Sequence, residues 1–220
     1  MNVDFFHNQV LGALAFFSRS HFAEKAFHTG MEFVDKDGEP VALDPETREI
    51  IAEADRSFAE VIRFEHNIAR ATYIVGWSAL ETLLSECVAD LCRSAPRRLA
   101  GRQKEAISQL VRVASGEITR EQLLDELVAS EVETFGTKSL FKQREYLQNT
   151  WSVQWPDEFF QQLNAIGDRR NSAAHDPSFR TPGREQVYAD LADLLSLGPQ
   201  VAKAVTQAIE LQGRPRPSGI

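Results

Sequence analysis

Residues 167–177 read GDRRNSAAHDP and bring Arg169, Arg170, Asn171 and His175 into one short stretch. Arginine carries a fixed positive charge and a forked set of donors that suits a carboxylate or a phosphate. Histidine titrates near neutral pH and can either accept or give a proton. Together these side chains could hold an anion and move a proton beside it. They could equally make an ordinary charged helix end, so the elements that carry them decide between the two.

Pro156-Asp157-Glu158 suits a helix start, and Asp176-Pro177 sets its end, because a residue before proline avoids helical geometry. A 100° step per residue then puts Phe159, Leu163, Ile166 and Ala173 on one apolar face, with Ala174 at its margin. Arg170 falls inside that face, seven residues after Leu163, four after Ile166 and three before Ala173. An arginine where the pattern asks for leucine breaks a local rule, and such breaks concentrate at functional sites. Arg169 turns toward the rim and is expected to matter less. Asn171 and His175, four apart, share a different face. His175 falls in the last turn.

A second helix is predicted across YIVGWSALETLLSECVADL, residues 73–91. Tyr73, Trp77, Leu80, Leu84, Cys87, Val88 and Leu91 form its broad apolar stripe, with Ser78, Thr82, Ser85 and Ala89 opposite. Glu81 lies on the margin of that stripe, where a carboxylate needs a partner. Arg170 is a candidate for that partner.

The chain has 220 residues, enough for one domain with a core that needs neither disulfides nor metals. No run approaches the roughly 18–20 apolar residues of a membrane span, and no secretory signal is expected at the N-terminus. Cys87 and Cys92 sit five apart on one predicted helix, a spacing that turns them away from each other, so both are read as small buried hydrophobes in a reducing cytoplasm. No cluster of cysteines or histidines has metal-ligand spacing, so no metal site and no cofactor are predicted. The net charge of −8 argues against a protein that coats nucleic acid, yet leaves room for a local cationic pocket.

The remaining pattern is helical. Residues 4–28 suit an amphipathic helix with Phe5, Val10, Leu14, Phe17 and Phe22 among its apolar positions; His7, His21 and His28 flank it at multiples of seven residues. Residues 31–43 suit a small hairpin or an ordered loop around Asp37-Gly38. Asp44-Pro45 starts a helical pattern that lasts to Cys92, with one break expected near His66-Asn67. Further helices are predicted over 102–114, 121–129 (capped by Thr119), 137–149 and 184–211, the last carrying Gly198-Pro199. The expected architecture is a single all-α domain over 1–212: an N-terminal helix and loop or hairpin over 1–43, a bundle core over 44–212, and a flexible tail over 213–220.

Arg170-Asn171 followed by His175, R-N-S-A-A-H, resembles the R-x(4–6)-H signature of the HEPN superfamily, the higher eukaryotes and prokaryotes nucleotide-binding domains. GWSALETLLSE, residues 76–86, is similar to the family's earlier core helix, in which an aromatic-aliphatic run leads to an acidic residue. The resemblance covers roughly residues 60–210 and does not reach residues 1–43. It implies an all-α bundle that dimerises and unites two motifs in one composite cleft. It also implies a metal-independent endoribonuclease of the kind found in toxin–antitoxin and defence systems, with RNA as substrate and a cognate antitoxin or regulatory protein as a further partner. Arg170 and His175 would be the catalytic pair, Asn171 the intervening polar residue, and Glu81 the group that orients Arg170.

Those residue types suit the reaction. In metal-free RNA cleavage one group takes the 2′-OH proton, one protonates the departing 5′-oxygen, and a cation stabilises the charge on phosphorus. Three other readings stand beside this one. They are a silent module that binds RNA or nucleotide, a structural helical protein in which Arg170 pairs with Glu81 and His175 caps free carbonyls, and a conventional hydrolase. No G-x-S-x-G or P-loop supports the last of these.

Overall fold

The computed structural model describes residues 1–29, 44–50, 53, 64–100, 106–176 and 178–213. Among them there is no strand, and the chain forms an all-α bundle. The helices are α1 (Val3–Thr29), α2 (Phe64–Ser94), α3 (Arg97–Ala100), α4 (Ala106–Ala114), α5 (Arg120–Gly136), α6 (Leu140–Trp151), α7 (Asp157–His175) and α8 (Arg184–Gly213). Residues 45–50 are also helical, and Asp44 Oδ1 caps that start by accepting the Thr47 backbone N–H at 2.9 Å. No helix among the described residues is long and apolar enough to cross a membrane. The proposed hairpin at 31–43 and the tail at 214–220 lie outside the described residues.

α2 is the shared axis, and it packs against α1, α5, α7 and α8. Its sequence explains why. Buried positions come in adjacent pairs (Ala79 and Leu80, Leu83 and Leu84, Cys87 and Val88, Leu91 and Cys92), so more than one face is apolar and neighbours flank it on both sides. Every residue of the predicted stripe from Tyr73 to Leu91 is buried, and both cysteines are buried thiols. α2 begins at Phe64, two residues before the expected break near His66-Asn67, and residues 54–63 lie outside the described residues. His66 bonds Thr181, and Ile68 and Ala69 are already buried in the core, so packing anchors the first turns of α2 where intrinsic helix preference is weak.

Among residues 3–19 of α1 the buried ones are Phe6, Val10, Ala13 and Phe17, spaced as one helical stripe against α2 and α8. Phe5, expected on that face, is exposed. With two adjacent phenylalanines, pattern alone could not decide which one faced inward. Phe6 presses on α8 where Gly198 leaves room, since a Cβ there would lie 2.1 Å from the ring. The next residue, Pro199, sits inside α8 without breaking it. Proline has no N–H to offer the carbonyl four residues back, that of Leu195. His7 Nε2 donates to that carbonyl at 3.3 Å.

α5 begins with a capping box between Thr119 and Gln122, and it continues to Gly136, beyond the predicted end. Thr137 closes α5 instead of opening the next helix, and α6 starts after Ser139. The corner at residues 136–140 brings α6 back toward α7.

Candidate functional site

Trp77 and Glu81 stand one turn apart on α2, and the indole Nε1–H donates to Glu81 Oε1 at 2.8 Å. Gly167 of α7 admits the indole at close range, because a Cβ at that position would meet Trp77 Cη2 at 2.8 Å. One turn further along α7, Arg170 Nη2 donates to the same Glu81 oxygen at 3.4 Å. Its Nη1 donates to Asn171 Oδ1 at 3.0 Å, while its Nε is buried with no hydrogen-bond partner among the described residues. The expected contact of Glu81 with Arg170 is present in the geometry, and Asn171, expected with His175 on a different face, also reaches the guanidinium.

The contact between Arg170 and Glu81 is loose, and the Glu81 side chain is 47% exposed. An ion pair of that kind contributes about 0–1 kcal/mol. That is a small return for a half-buried arginine on an apolar face, where leaving an N–H unpaired costs up to about 1–3 kcal/mol. The pair with Glu81 alone does not account for an arginine on that face.

Arg170 lines a cleft of about 400 Å³ between α2, the α5–α6 corner and α7. Trp77, Glu81, Phe141, Asn164 and Asn171 line it as well. Lys138 and Asp168 complete its charged groups, so two cations face two carboxylates.

His175 lies outside the lining of this cleft. It is exposed at the end of α7 and has no hydrogen bond or ion pair among the described residues. The carbonyl-capping role considered for it belongs to Arg70 of α2. Arg70 Nε donates to the Ala173 carbonyl at 2.5 Å and Nη2 to that of Asp176 at 3.4 Å. Asp176 also accepts the Ser178 N–H and hydroxyl, each at 2.7 Å, and these bonds hold its carboxyl below the usual range. The helix end that presents His175 is thus fixed from two sides.

Arg169 is not the spare arginine of the pair. Its Nε and Nη2 each donate to Asp190 of α8 at 2.6 Å, and Asp190 is 1% exposed. Tyr73 Oη and Gln186 Nε2 donate to the same carboxylate at 2.6 and 2.8 Å. Burial works against the charge on Arg169, but the Asp190 pair outweighs it and holds the guanidinium more firmly protonated. Burial, with the bond to Asp190, likewise holds the Tyr73 phenol protonated. The motif's two arginines thus have separate partners: Arg169 ties α7 to α8, and Arg170 faces the cleft.

Comparisons with protein-family models, curated proteins and solved structures find no match to this chain. Function must therefore be read from the chemistry of the site itself.

Proposed function

We propose that the chain is a metal-independent endoribonuclease of the HEPN type that acts as a homodimer. The observation that carries this reading is Arg170. It stands half-buried on the inward face of α7, yet its guanidinium lines a cleft, bonded to Asn171 and more loosely to Glu81, five residues before an exposed histidine.

In the proposed reaction the ribose 2′-oxygen attacks the neighbouring phosphorus and the bond from phosphorus to the 5′-oxygen breaks. One His175 takes the 2′-OH proton, and the His175 of a second copy protonates the leaving 5′-oxygen. Arg170 stabilises the charge that builds on the phosphoryl oxygens. Asn171 and Glu81 hold its guanidinium toward the substrate. Pairing two copies supplies the second histidine that a single motif lacks.

The test is cleavage of single-stranded RNA by pure protein in excess EDTA, with the ends analysed. The expected products carry 2′,3′-cyclic phosphates, and Arg170→Ala and His175→Ala should each lower the rate by about 10²–10⁴-fold. Undiminished cleavage by either variant rejects the assignment.

One observation favours a second reading, a silent module that binds RNA or nucleotide. Within one protomer, His175 does not line the cleft that Arg170 lines. Tight RNA binding without any cleavage by the wild-type dimer selects that reading.

A further inference from the structure

We propose that the cleft beside Arg170 holds an unpaired nucleobase, stacked on Phe141 and read at its edge by Asp168 and Asn164. This rests on the RNA reading above and adds a base subsite to it.

Phe141 is the first element. It lines the cleft with 55% of its surface exposed, an unusual setting for a phenylalanine beside a polar site. Its ring is oriented by an edge contact with Phe160 at 6.2 Å between centroids. Arg144 in turn lies over Phe160, 4.8 Å from that ring's centre. An exposed, oriented aromatic ring next to a phosphate-directed arginine is what unpaired bases stack on.

The charge balance points the same way. Glu81 already accepts from Trp77 and Arg170, and Lys138 donates to the Thr134 carbonyl at 2.8 Å. The cleft therefore lacks the surplus of positive charge that tracks a run of phosphates. It suits a neutral ring attached to a single phosphate.

The sequence of α7 supplies the edge contacts. Asn164, Asp168, Asn171 and His175 follow one another at helical spacing and all are exposed, so they form one polar line roughly 16 Å long. Asn164 Nδ2 donates to Asp168 Oδ2 at 3.2 Å, which leaves the second amide hydrogen and Asp168 Oδ1 uncommitted among the described residues. Guanine offers two neighbouring N–H donors for a carboxylate and a carbonyl oxygen for an amide. It is the base that this pair fits best. Binding there would place the guanosine at the Asn164 end of the line and the chain toward His175.

The test is fluorescence anisotropy with a labelled uridine pentamer and the same pentamer carrying one central guanosine. All proteins carry His175→Ala, so that the RNA stays intact. The guanosine pentamer should bind more tightly. Adding Phe141→Ala should weaken binding of both by about 5–150-fold, while Phe141→Trp retains it. Asp168→Asn should remove the guanosine preference and spare the uridine pentamer. Unchanged affinity in Phe141→Ala, with Arg170→Ala weakened, overturns the base subsite and leaves the ribonuclease reading intact. Unchanged affinity in Arg170→Ala overturns the ribonuclease reading, and weakened binding by Phe141→Ala in that case still supports a stacked base. A guanosine preference that survives Asp168→Asn rejects the edge contact.

Discussion

Arg169 grips Asp190 with two hydrogen bonds of 2.6 Å, one to each carboxylate oxygen. Asp190 is buried and also serves Tyr73 and Gln186, so three side chains from α2, α7 and α8 depend on it. Asp190→Ala should cost about 2–4 kcal/mol, toward the low end of what breaking a buried pair costs, because the Arg169 side chain is 31% exposed. Urea denaturation measures it. Arg169→Ala should likewise lower stability more than RNA affinity, the reverse of Arg170→Ala.

Gly167→Ala opposes two effects. Alanine gains about 1 kcal/mol of helix propensity. The new methyl would meet the buried Trp77 ring, and overpacking of that kind costs about 1–3 kcal/mol. The clash should win by about 1 kcal/mol, and tryptophan emission should shift as the indole moves away from α7. A variant as stable as the parent, with unchanged emission, would show that the ring slides aside without loss.

Arg70→Met keeps the aliphatic stem and removes the donors to Ala173 and Asp176. The last turn of α7 should loosen by about 1–2 kcal/mol, seen as faster hydrogen exchange at residues 172–176. If the protein cleaves RNA, the rate should fall while affinity for RNA holds, because His175 rides on that turn.

Alkaline pH should destabilise the fold. Burial pushes the Cys87 thiol up to about 12, against about 8.5 for an exposed thiol. The folded chain therefore keeps this proton longer than the unfolded chain does. The thiol's contribution is whole below about pH 8.5, and it is lost as pH rises toward about 12, at up to about 1.4 kcal/mol per pH unit. The Met1 ammonium, raised chiefly by its hydrogen bond to Asp90, adds to the fall in the same window. Denaturation midpoints between pH 8 and 10 should drop less steeply in Cys87→Ala than in the parent.

Local punctuation made α7 legible in the sequence. Proline and acids mark its start, Asp176-Pro177 marks its end, and apolar spacing alone placed Arg170 on the inward face. Glu81 as its neighbour was also readable, from its position at the edge of the α2 stripe. The bond between Trp77 and Glu81 was within reach too, since residues four apart on a helix adjoin. Other features depend on tertiary contact and left no local mark. Asp190 is 21 residues from Arg169, and Arg70 is 103 from Ala173. Phe141 entered the cleft only once the corner after Gly136 had turned α6 toward α7.

His7 and Phe6 meet α8 across nearly the whole length of the chain, with 188 residues separating His7 from the carbonyl it serves. That carbonyl belongs to the turn that Pro199 leaves one bond short, so the middle of α8 is complete only once α1 has docked. Contacts of such long sequence separation carry a large closure entropy and slow folding. The first and last helices should therefore open together, with the amides around residues 195–199 exchanging in step with those of α1.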